Sequence, residues 1–248
     1  MKINGVDIAA VSRINGINKA SITKMSNVPF VAPSPIPAGI VTAGLIMYLD
    51  AGVSASYPGS GTAWTDVTYS GNDGTLINSP TYSSANGGSI LFDGVDDYVG
   101  LTNTTLSVPS GQNFVWNAWV KTPAVLSGYK MILSVNGYYQ YLSLYNNQFV
   151  LDARGYATLR FGTLSPNTWY NVTVVRDSNV DYQYVNGVFI NSKANGTGFG
   201  GTLAIGKWAY NNTLFYNSNI SVVSIYNARL TAAEVLQNFN TLKSRYGY

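Results

Sequence analysis

Cysteine is absent from the 248 residues, histidine is absent too, and glutamate occurs once, at Glu234. Without cysteine there is no disulfide framework and no thiolate metal site, so the fold rests on its core. Without histidine or cysteine no Ser-His-Asp, Cys-His or histidine-zinc site can be assembled. A glycosidase mechanism needs two carboxylates at fixed separation, and a lone Glu does not provide the usual pair. Only an acid–base pair of aspartates remains as a hydrolytic alternative.

Charge is also scarce. Charged residues make up 10% of the chain and the net charge is +3, with no window that gathers a basic stripe. Nucleic acid is therefore not an expected partner. The longest apolar run, residues 39–49, is interrupted by Thr42 and Gly44 and is too short to span a bilayer, so no membrane is expected either. The chain opens Met1-Lys2 and continues into polar residues with no apolar signal region, which reads as synthesis in the host cytoplasm without a signal peptide.

What is abundant is apolar residues at 46%, 25 glycines and 19 tyrosines. That mixture favours strands and turns. Residues 3–13 and 14–24 form an eleven-residue repeat in which ten of eleven positions are identical or similar, and a truncated third copy runs to Val28. Each unit contains Asn-Gly, at Asn4-Gly5 and Asn15-Gly16, a hairpin signal. Residues 1–28 thus read as an arm of short strands carrying Ile3, Val6, Ile14, Ile17 and Ile22 as assembly contacts. So short an arm cannot cover its own apolar face and needs a partner. Residues 29–39 hold four prolines and read as an extended spacer.

Residues 40–248 carry at least nine strand-like runs separated by turn signals, which makes an all-β, two-sheet sandwich the economical architecture. One short helix is expected near the C-terminus. Thr231 to Glu234 makes a capping box, followed by an apolar face of Val235, Leu236, Phe239 and Leu242. Trp116, Trp119 and Trp169 are assigned to the sandwich layers.

Several segments together resemble the laminin-G-like branch of the concanavalin A-like lectin and glucanase superfamily. They are Leu91-Phe92-Asp93-Gly94-Val95-Asp96-Asp97-Tyr98, Trp119-Val120-Lys121, the run 169–177, Tyr184-Val185-Asn186-Gly187 and Ile225-Tyr226 followed by Glu234. The resemblance implies a jelly-roll sandwich whose concave sheet or loop rim binds glycans in many members, some with calcium. Fold alone does not fix function.

Two groups of residues are candidates for binding. Trp208, Tyr210 and Asn211, with Tyr138 and Tyr139, combine flat rings and amides that suit a sugar; the competing reading is that these rings pack the sandwich or a subunit contact. Asp93, Asp96 and Asp97 form the densest acidic cluster and suit calcium, with Asp50 and Asp73 as further ligands. Against calcium stands a tight Asp-Gly turn in which the carboxylates bond local backbone. No cofactor is required otherwise. The Asn-X-Ser/Thr triplets, at Asn171 and Asn195 among others, read as accidents of composition.

A virion surface protein unites these readings: not an enzyme, a capsid decoration or fibre. Its arm, residues 1–28, docks on a major capsid or other virion protein, and its sandwich is displayed for adhesion to a cell-surface glycan. A homo-oligomer, such as a trimer, is expected. The rival is a free or exported bacterial carbohydrate-binding lectin.

Overall fold

The computed structural model describes residues 2–3, 6–7, 13–14, 17–18, 34–108, 111–136, 140–153, 159–195 and 197–248. The chain divides into two units, Met1–Ser34 and Pro35–Tyr248.

In the first unit, β1 (Lys2–Ile3) pairs antiparallel with β2 (Val6–Asp7), and β3 (Arg13–Ile14) pairs in the same way with β4 (Ile17–Asn18). The registers match, Ile3 facing Val6 and Ile14 facing Ile17. Each of these strand pairs flanks an Asn-Gly pair in sequence. A lone two-stranded hairpin is marginal in water. Ile22 lies outside the described residues.

The second unit is a sandwich of two antiparallel sheets of 8 strands each. Sheet I runs in the order β18 (Val188–Ala194), β17 (Val180–Val185), β16 (Trp169–Asp177), β11 (Phe114–Lys121), β20 (Asn219–Tyr226), β9 (Ser89–Leu91) and β8 (Thr81–Ser83). Its eighth strand, β5 (Leu45–Asp50), shares the edge of β20 with β9. Sheet II runs β15 (Leu159–Phe161), β14 (Gln148–Ala153), β13 (Gln140–Tyr145), β12 (Tyr129–Val135), β19 (Phe199–Ile205), β10 (Tyr98–Val108), β7 (Gly74–Ile77) and β6 (Ala63–Trp64).

Alternation along the strands decides which side chains fill the space between the sheets. From β11 these are Phe114, Trp116, Ala118 and Val120, and from β16 Val172 and Val174. Sheet II answers with Leu142 and Leu144 of β13, Phe149 and Leu151 of β14, and Leu203 and Ile205 of β19. Arg176 also points inward, where its guanidinium lies 4.8 Å from the Phe114 ring and forms a fully buried pair with Asp181.

The middle of sheet I is buried on its outer face as well, which explains why β11 is buried at seven successive positions. The cover is α1 (Ala232–Leu242), capped by Thr231, whose side chain accepts from the Glu234 N–H while Glu234 accepts from the Thr231 N–H. Trp119 stacks on Phe239 and on Tyr246, with ring centroids 5.5 and 4.0 Å apart, and Trp169 joins the same cluster. Thus Trp116 lies between the sheets, but Trp119 and Trp169 lie beneath the helix. The expected apolar face of α1 needs one correction, because Leu236 is 43% exposed. Asn238 is buried in its place, accepting from the Val41 N–H at 2.8 Å and donating to the Tyr226 hydroxyl at 3.0 Å.

The proline spacer is shorter than the sequence suggests. Ile36 and Ile40 pack into the cluster under α1 with Leu242 and Tyr246, so residues 35–39 belong to the sandwich unit.

Candidate functional site

The outer face of sheet II differs from that of sheet I in what it carries. In Tyr141-Leu142-Ser143-Leu144-Tyr145 the leucines enter the core, so the two tyrosines project outward. Cross-strand register sets Tyr129 opposite Tyr145 and Asp152 opposite Tyr141. On β15, Arg160 projects to the same face and covers the Tyr145 ring at 4.4 Å.

The turn at residues 206–213 lies against this face. It is anchored by Ser134 of β12, whose hydroxyl donates to the Lys207 carbonyl at 2.7 Å and accepts from the Ala209 N–H at 2.8 Å. Trp208 and Thr213 close the turn by a β-bridge, and Asn212 takes a left-handed φ of 56° within it. The Asn211 amide oxygen accepts from the Thr213 hydroxyl. Lys207 is tucked under, its ammonium 3.3 Å from the centre of the Tyr98 ring and bonded to the Asn212 amide oxygen at 2.8 Å. Burial lowers the Lys207 pKa.

The result is a row of rings: Tyr145 to Tyr129 at 4.4 Å, Tyr129 to Tyr141 at 6.1 Å, Tyr141 to Trp208 at 6.5 Å and Trp208 to Tyr210 at 5.8 Å. Tyr210, at its end, is 54% exposed. Burial pushes the Tyr141 phenol well above its ordinary pKa, and the charge and hydrogen bond of Asp152 push it further. Tyr141 therefore stays a neutral phenol. Flat apolar rings edged by such groups can cover a sugar face and bond its hydroxyls.

Of the sequence candidates, Trp208, Tyr210 and Asn211 fall on this row or beside it, and Tyr138 and Tyr139 lie outside the described residues. Sequence reasoning missed Tyr129, Tyr141 and Tyr145. The signal available for two of them was the alternation of β13, with tyrosines and leucines on opposite faces.

The acidic cluster is a separate feature. Asp93 accepts from the Val95 N–H at 2.8 Å, and Asp97 accepts from the Asp93 N–H at 3.0 Å, so the Asp-Gly turn read from the sequence is present. The two carboxyls have opposite tendencies. The Val95 N–H holds the pKa of Asp93 low, whereas burial raises that of Asp97, reinforced by the charges of Asp93 and Asp96. Asp50 and Asp73 do not join them. Asp50 is clamped by Arg245 at 2.8 Å, and Asp73 accepts from the Asp66 N–H. Among the glycosylation triplets, Asn171 and Asn195 are buried and hydrogen-bonded.

Two antiparallel sheets face to face, one sealed by a helix and the other bearing an aromatic row, define a lectin-type β-sandwich. The chain belongs to the concanavalin A-like lectin/glucanases superfamily, whose laminin G profile matches residues 93–236. A search of curated protein sequences finds no match. Among solved structures the chain is similar to Trypanosoma rangeli sialidase in complex with 2,3-difluorosialic acid, with a TM-score of 0.64 and 18% identity. That match covers 88% of this chain and 36% of the sialidase, so the chain spans little more than a third of that enzyme. It is also similar to the binding domain of Paraclostridial mosquitocidal protein 1, with a TM-score of 0.61, 16% identity, and coverage of 80% of this chain and 52% of that one. The botulinum neurotoxin serotype G binding domain gives a TM-score of 0.58 at 17% identity, over 79% and 50% of the two chains. At such identities the likeness is one of fold.

Proposed function

We propose that this protein is a non-catalytic adhesion module of a virus particle, fixed by its arm and presenting sheet II to a glycan. The observation that carries the binding half is the ring row from Tyr145 to Tyr210 on the outer face of sheet II, while sheet I spends its outer face on α1. The lone Glu supports the absence of catalysis, since Glu234 is engaged as the capping residue of α1. The binding domains of toxins among the structural neighbours are in keeping with such a role.

Trp208→Ala combined with Tyr141→Ala removes two adjacent rings, and centrally placed aromatic anchors each contribute about 2 kcal/mol or more to binding. On a glycan array followed by calorimetry, the full-length protein should bind a subset of oligosaccharides without releasing reducing sugar. The double variant should lose that binding at least about ten-fold. Binding unchanged in a folded double variant, or turnover of the bound glycan, would defeat this reading.

The anchoring half rests on the arm. Among the described residues its short strands form two separate two-stranded pairs, which suits β-augmentation of a capsid or other virion protein, or of a neighbouring copy in a trimer. Deleting residues 1–28 should leave a soluble sandwich that melts as the full chain's does and no longer enters particles or oligomers. A truncated chain recovered in purified particles at the normal copy number would refute the anchor.

A further inference from the structure

We infer that the apolar patch around the start of β18 is the face by which two copies of the chain pair about a two-fold axis, through side chains and not through a shared sheet. The inference does not rest on the glycan or virion readings.

A strand that packs one face on a core alternates apolar with polar residues. β18 opens instead with Val188, Phe189 and Ile190 in succession, exposed at 59%, 48% and 40%. It ends the order of sheet I, and no strand among the described residues pairs with its outer side. Phe189 lies against the rings of Tyr184 and Tyr182, with centroids 5.7 and 6.3 Å away, yet about half of it remains bare.

Two further side chains extend the patch. Leu236, the residue that leaves the buried face of α1, lies against the turn before β18: a Cβ on Gly187 would come within 3.1 Å of its Cδ1. The Tyr248 hydroxyl accepts from the Asn186 amide at 3.0 Å, which holds this exposed tyrosine at the same turn. Half of the ten large apolar side chains exposed among the described residues therefore gather around one hairpin. Such residues scattered singly need no explanation, but a cluster of them does.

The occupant follows from area and charge. Five side chains so exposed leave about 400 Å² of apolar surface, a size that marks an interaction site on a monomer. Lys193 is the only charged residue of β18, so the strand offers a charged partner little to pair with. A second copy brings the same apolar patch, and an isologous contact uses every side chain twice. Two such patches with their polar rims bury about 1,000 Å² in total, where specific but weak association begins. Strand addition is disfavoured. Tyr184 pairs with Phe189 and Gln183 with Asn191, which leaves Ile190 as an extra residue on β18. A bulge of this kind and a lysine on the strand are devices that keep an edge from pairing.

Sedimentation velocity of the full chain over a rising concentration series tests the pairing. A concentration-dependent step, over and above any oligomer the arm forms, should be half-complete at about 100 µM, as suits so small an interface. Phe189→Lys with Leu236→Lys sets like charges face to face. Both positions are exposed, so the double variant should melt within about 2 °C of the wild type and weaken the step at least about ten-fold. Because the chain has no cysteine, Ile190→Cys can form a disulfide only between copies. Mild oxidation should give a covalent dimer of that variant, whereas Tyr69→Cys, at an exposed position outside the patch, should stay uncoupled. A full chain without the step up to millimolar concentration, a step unchanged in the double variant, or equal coupling of the two cysteine variants would overturn the pairing. A chain that fails to pair and instead floats with phosphatidylcholine vesicles would assign the patch to a lipid surface and overturn it as well.

Discussion

Asp181→Ala is expected to destabilise the sandwich by about 3–5 kcal/mol, because it strands the buried Arg176 guanidinium among apolar neighbours. In the native protein the fork is fully engaged. Arg176 Nε donates to Asp181 Oδ1 at 2.7 Å and Nη2 to Oδ2 at 2.9 Å, while Nη1 donates to the Thr197 carbonyl at 2.6 Å. Asn195 donates to the same carboxylate at 2.6 Å, and both charged side chains are 0% exposed. The two residues face each other in register across β16 and β17, so the pair also marks their alignment. Removing both charges, as Arg176→Met with Asp181→Leu, should recover most of the loss, since an apolar replacement of similar volume escapes the desolvation cost. Urea unfolding of the two single variants and the double variant gives the coupling directly. Single variants that each lose less than about 1 kcal/mol would show the pair to be solvated in practice.

Trp119→Ala should cost about 3–5 kcal/mol, the range for deleting a buried tryptophan. Trp119 is 1% exposed and lies in stacked contact with Phe239 and Tyr246, at interplanar angles of 15° and 16°. Its loss opens a void between sheet I and the C-terminal segment, which is otherwise held by the Arg245–Asp50 pair and by the Tyr248 hydroxyl on the Trp169 carbonyl at 2.6 Å. For a chain of this size such a loss corresponds to about 6–20 °C in melting temperature. A calorimetric melt decides the matter. A shift of less than about 2 °C would mean that α1 adds little to the sandwich.

These two sites illustrate what was legible in the sequence. The strand-like runs Leu45–Asp50, Phe114–Lys121 and Asn219–Tyr226, rich in apolar residues and bounded by turn signals, are strands with those bounds. The hairpins of the arm followed from Asn-Gly, and α1 from its capping box. By contrast β10 and the first half of β19 have little in the sequence to mark them. These parts pair with each other, Thr105 with Thr202, Leu106 with Gly201 and Ser107 with Gly200. Gly200 and Gly201 weaken the strand signal there, and the pairing makes the strand. The same limit applies to the site. Trp208 and Tyr210 were visible as an aromatic, amide-rich turn, but the place of Tyr141 beside Asp152 is a consequence of strand register. Asn238 was hidden for a similar reason, its partners being Val41 and Tyr226.

The packing of Ile36 and Ile40 against Leu242 and Tyr246 places the entry of the chain into the sandwich on the helix side of sheet I. Gln237 of α1 donates to the Gly39 carbonyl at 2.8 Å, which fixes that entry point to the helix. A tether leaving at residue 35 therefore starts from the layer opposite the aromatic row. Under the proposed anchoring, copies fixed at close spacing would present their rows together, so weak individual contacts would combine through effective concentration, and avidity would depend on the lattice of the support more than on any single ring.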